Sequence, residues 1–353
     1  MSRDFPRHGA ARSALVERFP WLDGHPVVDG LWPWARNFLP PEADFARQAG
    51  RFAAAGFTHV SLTAASGQET GPDALLRLGE LTRQLREAGI AVAEDAASIE
   101  AQRAAGRLSA SFHFQSATPF AASLDLVDAF RRAGVGRAIL AYNEANIFAD
   151  GCHEPRNAGL TAAGRSLVRR MTEVGMRVDL SHCGVRTSLD VLEMGLDPPP
   201  LFSHSNVRAL FDHERNLTDD QIAGAAAAGC YIGINGVGMF LGAERDAIPE
   251  AMARHAAGLA ERVGAGRLGL GLDFMYLDGS DYGFYHGSRA RWPRGYPEPP
   301  WSFCQPEQLG DLVAALERTG FDRGEIAGML GGNHLRLALP RQRGRDQQTE
   351  NAA

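Results

Sequence analysis

Two hydrophobic periods alternate along most of the chain. Short continuous apolar runs, bounded by Gly, Pro or Ser, recur between longer stretches with apolar residues every three or four positions. The short runs predict buried strands and the longer pattern predicts amphipathic helices. Strands are expected at 26–31, 58–63, 109–115, 137–142, 177–181, 200–204, 230–235 and 268–273, with a further short strand at 90–94 outside the main series. Helices are expected at 43–55, 72–88, 98–105, 125–133, 161–174, 186–194, 218–228 and 248–263, then at 306–318 and 322–329. Gly56, Gly89 and Gly175 close three of them, and Thr218-Asp219-Asp220-Gln221 has the form of a capping box.

Apolar strands alternating with helices predict a parallel sheet, and eight such units close a barrel. The expected fold is therefore α/β, a (β/α)8 TIM-type barrel. It would occupy residues 25–340 as a single domain, after a lead-in at 1–24 and before a disordered polar tail at 341–353. One connection is unusually long. Residues 275–304 carry Tyr276, Tyr282, Phe284, Tyr285, Trp292, Tyr296, Trp301 and Phe303 among many Gly and Pro. Following the last strand, this aromatic loop would emerge at the active rim, as a pocket wall or lid or at a subunit interface.

Composition narrows the classes. The chain has 353 residues, 44% hydrophobic and 22% charged, with net charge -6 and pI near 6.0. Without a dense Lys/Arg stripe, no nucleic-acid partner is expected. Residues 1–22 lack a signal-peptide apolar core, and no apolar run is long enough to span a bilayer, so a cytoplasmic protein is expected. Cys152, Cys183, Cys230 and Cys304 are scattered and read most simply as free thiols.

The candidate chemistry sits at strand ends. Val178-Asp179-Leu180-Ser181-His182 and Leu201-Phe202-Ser203-His204-Ser205 each end in Ser-His, and Leu268-Gly269-Leu270-Gly271-Leu272-Asp273 ends in a carboxylate. Two imidazoles and a carboxylate at the C-terminal ends of barrel strands point to a metal-dependent site.

These segments resemble the membrane (renal) dipeptidase family of amidohydrolase-like zinc hydrolases. The resemblance also covers Asn146-Ile147-Phe148-Ala149-Asp150-Gly151-Cys152, Gly159-Leu160-Thr161, Gly164-Arg165, Arg215-Asn216, Gly271-Leu272-Asp273-Phe274 and Asn333-His334-Leu335-Arg336. It implies His182 and His204 as ligands of one zinc, Asp273 as the proton-handling residue, Arg215 as the substrate-binding arginine, and a homodimer. The family's other ligands are missing. Its first-strand Asp-Gly-His-x-Asp reads Asp29-Gly30-Leu31-Trp32-Pro33, its bridging glutamate falls on Gln115, and a histidine near substrate falls on Tyr142. Leucine and proline side chains carry no metal donor, and a neutral amide is a poorer ligand than a carboxylate.

What remains suits at most one Zn per chain, at His182 and His204. Asp273, Gln115 or His113 would be the third ligand, although His113 also reads as a satisfied core histidine. Tyr142 is expected to touch substrate, and Trp32 and Trp34 to line an apolar pocket beside Pro33. Cys183 should point away from His182. The expected activity is hydrolysis of an amide-type bond in a small carboxylate-bearing molecule. The alternative is a non-hydrolytic small-molecule binder, or a metal-free lyase or isomerase, on the same fold.

Overall fold

The computed structural model describes residues 15–34, 39, 43–67, 69–275, 282–287 and 296–341. The expected tail from 342 onward, the first part of the lead-in, Tyr276 and Trp292 lie outside the described residues.

Among the described residues nine parallel strands form one sheet: β1 Val28–Trp32, β2 His59–Ala65, β3 Ala91–Val92, β4 Ser109–Phe114, β5 Val135–Ile139, β6 Arg177–Asp179, β7 Leu201–Phe202, β8 Tyr231–Asn235 and β9 Leu268–Gly271. Their order is β1-β2-β4-β5-β6-β7-β8-β9, and β3 pairs with β4 off this path. The ends meet where the Asp273 N–H donates to the Leu31 carbonyl at 3.1 Å. The result is a nearly closed eight-stranded barrel, with the 90–94 segment outside the main count as its sequence suggests.

The main helices between and after the strands are α1 Phe45–Ala55, α2 Gly71–Glu87, α3 Ala96–Ala104, α4 Asp125–Arg132, α5 Ala162–Glu173, α6 Val185–Leu192, α7 Asp219–Ala228, α8 Ile248–Val263 and α9 Leu309–Thr319. The Thr218–Gln221 capping box opens α7, and Gly56 closes α1 in the left-handed region that glycine adopts without strain.

The helix-facing side of the barrel is apolar, but its interior is polar. His59 pairs with the Ser109 and Ser111 hydroxyls at 2.8 and 3.0 Å, and His113 with those of Ser61 and Thr63 at 2.8 and 2.9 Å. Burial pushes His59 down to about 3 and holds His113 well below the usual imidazole range, so both are neutral. Below the working rim, Arg137 Nε lies 3.0 Å from Asp179 Oδ2, with both side chains almost wholly buried. The other Asp179 oxygen accepts the backbone N–H of Ser181 and of Ser203, each at 3.1 Å. One carboxylate therefore ends β6 and β7 together. Both strands are shorter than their sequence suggests, because a side chain replaces the next ladder bonds.

Asp29 plays a similar part at the closure, where its Oδ1 accepts from Leu31 N at 3.1 Å and Leu272 N at 2.8 Å. Burial pushes its carboxyl up to about 7 against those hydrogen bonds, with the Asp273 charge adding and Arg137 opposing.

Removing one partner of a buried ion pair leaves an uncompensated charge, so Arg137→Met should lower unfolding free energy by about 3–5 kcal/mol in urea denaturation. Asp29 binds its proton more tightly folded than unfolded. Its contribution to stability is present below about pH 4 and is lost as pH rises through about 7. The wild-type minus Asp29→Asn difference in unfolding free energy should fall across that window by up to about 1.4 kcal/mol per pH unit. A flat difference would contradict the assignment.

Candidate active site

His182 follows the end of β6 in the left-handed region at φ 65, and Asp273 follows β9 at φ 54. Such values are uncommon for residues with a Cβ and cluster at functional sites. The His182 turn is held by its carbonyl, which accepts from Cys152 N at 2.8 Å. His204 follows β7, where its own N–H donates to Ser181 Oγ at 3.0 Å. These ties bring the two imidazoles together, with Nε2 atoms 2.9 Å apart.

Their far sides are occupied. His182 Nδ1 lies 2.7 Å from Asn143 Oδ1, and His204 Nδ1 lies 2.7 Å from Ser203 Oγ. An amide oxygen only accepts, so Nδ1 of His182 carries the proton and its Nε2 presents a lone pair. Burial, followed by the charge of Arg215, keeps both rings well below the ordinary imidazole range.

Asp273 Oδ2 is 4.0 Å from His204 Nε2 and accepts from Asn235 Nδ2 at 3.1 Å. The Asn235 amide is oriented because its Oδ1 takes the Val237 N–H at 2.6 Å. Burial raises the Asp273 carboxyl to about 6, opposed by Arg215 and by the Asn235 hydrogen bond. Arg215 is itself buried. One Nη reaches the His204 carbonyl at 3.4 Å, its guanidinium lies 5.4 Å from the Phe240 ring centre, and its Nε has no hydrogen-bond partner.

A narrow cleft opens onto His182 and Asp273, and its lining also includes Pro33, Gln115, Tyr142 and Trp301. Tyr142 stacks on His182 at 4.2 Å between ring centres. The described part of the aromatic loop forms a wall. Tyr296 and Trp301 pack 5.8 Å apart, and the Tyr296 hydroxyl accepts from Asn143 Nδ2 at 3.1 Å.

The structure thus gathers His182, Asp273, Tyr142 and Gln115 on one pocket, with His204 behind His182 and Arg215 buried at the His204 carbonyl. Three expectations need correction. His113 spends both ring nitrogens on Ser61 and Thr63 inside the barrel and presents no lone pair to the pocket. Trp32 and Trp34 do not line the pocket. Trp32 lies 5.5 Å from Phe45 and 4.6 Å from Phe52, and Trp34 lies 5.5 Å from Phe45, all against α1. Successive residues of an extended segment face opposite ways, so Pro33 between them points inward. Asn143, Asn235 and Ser203, which orient the three central side chains, were not among the expected site residues. Asn235 carried a usable signal, as a polar residue ending an apolar strand. Cys183 is buried with its thiol pushed up to about 12, so it supplies no thiolate.

A family model for membrane dipeptidase, peptidase family M19, matches residues 10–350. The chain belongs to the membrane dipeptidase family. An uncharacterized dipeptidase of Schizosaccharomyces pombe is 31% identical over 221 residues, covering 62% of this chain and 49% of that relative. Dipeptidase tcpJ of Claviceps purpurea is 29% identical over 59% of this chain and 45% of its own length. The chain spans about half the length of these curated relatives. Among solved structures, an amidohydrolase from Pseudomonas aeruginosa superposes with TM-score 0.79 at 23% identity, covering 91% of this chain and 97% of that one. A metallo peptidase from Rhodobacter sphaeroides, liganded with a phosphinate mimic of L-Ala-D-Ala, gives 0.72 at 23% identity, covering 89% and 99%. At that identity these two establish the barrel fold.

Membership in a metallopeptidase family implies a metal, and the donors fit one ion. Two imidazoles on one tetrahedral zinc place their donor nitrogens about 3.3 Å apart, within a few tenths of an ångström of the His182–His204 separation. The contacts at both Nδ1 atoms are of the kind that orient metal-binding histidines. Among the described residues no three His, Cys, Asp or Glu side chains form a ready-made cluster, so the fit is to a two-imidazole centre with Asp273 beside it.

Metal analysis of the purified protein should therefore give at most one ion per chain, lost in His182→Ala. Gln115→Glu alone should leave the stoichiometry unchanged, since Leu31 and Pro33 still offer no donor. Two ions bound by that variant would refute the single-metal arrangement.

Proposed function

We propose that the protein is a dipeptidase-like hydrolase of an amide-type bond in a small molecule bearing a carboxylate, with one metal held by His182 and His204. The convergence of two neutral imidazole Nε2 atoms at 2.9 Å, beside the Asp273 carboxylate, carries this reading. A metal bound there supplies Lewis acidity and lowers the pKa of a water.

The chain's own groups supply the rest. Asp273, held by Asn235, takes the proton from the attacking water and returns it to the leaving nitrogen. Arg215, whose positive charge is felt at Asp273 and at both imidazoles, attracts the substrate carboxylate. Tyr142 is fixed in the pocket by stacking on His182 and directs its phenol at a substrate oxygen. The wall of Phe240, Tyr296 and Trp301 packs against the substrate's apolar portion and keeps bulk water out.

The same reading extends to zinc, a homodimer and the cytoplasm. Imidazole ligands suit zinc, and resemblance to the family supports the dimer. Four unpaired cysteines suit a reducing compartment. Among the described residues no helix is long and apolar enough to cross a membrane. The lack of a metal donor at Leu31 and Pro33 and the neutral amide at Gln115 are what would favour a metal-free binder or lyase instead, and one experiment separates the two.

Zinc-loaded protein should hydrolyse members of a dipeptide panel, preferring an apolar side chain beside a free carboxylate. Asp273→Asn should lower kcat by about 10²–10⁴-fold with its metal content unchanged. Failure of metal-loaded protein to cleave any dipeptide would remove the dipeptidase reading.

A further inference from the structure

Gln115 presents an unused acceptor to the pocket, and its orientation follows from the hydrogen bonds beneath it. Its Nε2 lies 2.8 Å from Thr63 Oγ1. An amide nitrogen only donates, so the hydroxyl oxygen accepts there. Thr63 gives its own hydrogen to His113 Nε2 at 2.9 Å, and His113 Nδ1–H then donates to Ser61 Oγ at 2.8 Å. His113 is neutral, as this series requires. The series turns Nε2 of Gln115 into the barrel wall and leaves Oε1 on the pocket side. Gln115 lines the pocket, and among the described residues its Oε1 has no hydrogen-bond partner, although it is not sealed in the interior.

We propose that Gln115 Oε1 receives the terminal ammonium group of a dipeptide-like ligand, making Gln115 the residue that selects for a free amino group. This rests on the dipeptidase-like reading of the site. A carbonyl oxygen on a largely apolar pocket surface calls for a donor. Two features select an ammonium over a neutral donor. The Asp273 carboxylate lines the same pocket and supplies negative charge, and a charged donor makes the stronger hydrogen bond. Arg215 is buried against the His204 carbonyl behind this pocket, and its positive charge, felt at Asp273, attracts the other end of the molecule. The pocket is thus polarised to orient a zwitterion, with its ammonium toward Gln115 and Asp273, its carboxylate toward Arg215, and its apolar side chain against Phe240 and Trp301.

The test is isothermal titration of the full-length protein with the non-hydrolysable ketomethylene isostere of glycyl-L-phenylalanine and with the same isostere lacking its amino group. Wild type should bind the amino form about tenfold tighter. Gln115→Met, similar in shape but without the oxygen, should reduce that ratio to about twofold or less, while Gln115→Glu should keep it. Equal binding of both isosteres by wild type overturns the inference without any variant. So does a Gln115→Met protein that keeps the wild-type ratio. Wild type that binds neither isostere overturns the dipeptidase-like reading beneath it as well.

Discussion

The geometry of the site depends on a buried ion pair below it. Arg137 neutralises one oxygen of Asp179, and the other oxygen holds the N–H groups of Ser181 and Ser203. The two strands carrying the imidazoles are thereby stopped at the same level by the same carboxylate. Ser181 extends the linkage by accepting the His204 N–H. Buried ion pairs contribute little net stability because desolvation offsets their attraction. This one matters for placement: it sets where two histidines, twenty-two residues apart, come to rest.

Above that foundation, each reactive group has a neighbour that fixes its orientation. Asn143 determines which nitrogen of His182 is free, Ser203 positions His204, and Asn235 holds the Asp273 carboxylate. Two of the three central residues also sit in the left-handed backbone region, where a Cβ is disfavoured. The closure contacts at Leu31 and Leu272 and the Cys152 bond to His182 hold those turns in place. Such strain persists only where surrounding contacts outnumber it. The burial that keeps the imidazoles neutral, and so able to bind a metal, also raises Asp273 toward neutrality. A single apolar enclosure tunes all three groups.

The opposite side of the pocket is built from neutral and apolar groups. At the end of β1, Pro33 faces the cleft while Trp32 and Trp34 pack on α1. Those tryptophans bury large rings against Phe45 and Phe52, and this aromatic contact ties β1 to its helix. Gln115 keeps the shape of a carboxylate side chain but gives up its charge, and its nitrogen is absorbed into the polar column inside the barrel. The result is a pocket with two imidazoles and a carboxylate on one side and neutral and apolar contacts on the other.

The eight-stranded barrel and the strand-end positions of His182, His204 and Asp273 were legible in the sequence. Strand periodicity is local, and residue type alone says whether a side chain can bind a metal. The capping residues of α7 and the glycine closing α1 were legible for the same reason. Three things required the tertiary structure. The direction of Trp32 and Trp34 depended on how β1 meets α1. The satisfaction of His113 depended on hydroxyls contributed by β2. The orienting roles of Asn143, Asn235 and Ser203 depended on contacts across neighbouring strands and loops. A sequence shows which groups a chain possesses and, through its periodicity, which segments pair. Which lone pair faces the pocket is decided by hydrogen-bond partners distant in the chain, and only folding brings those together.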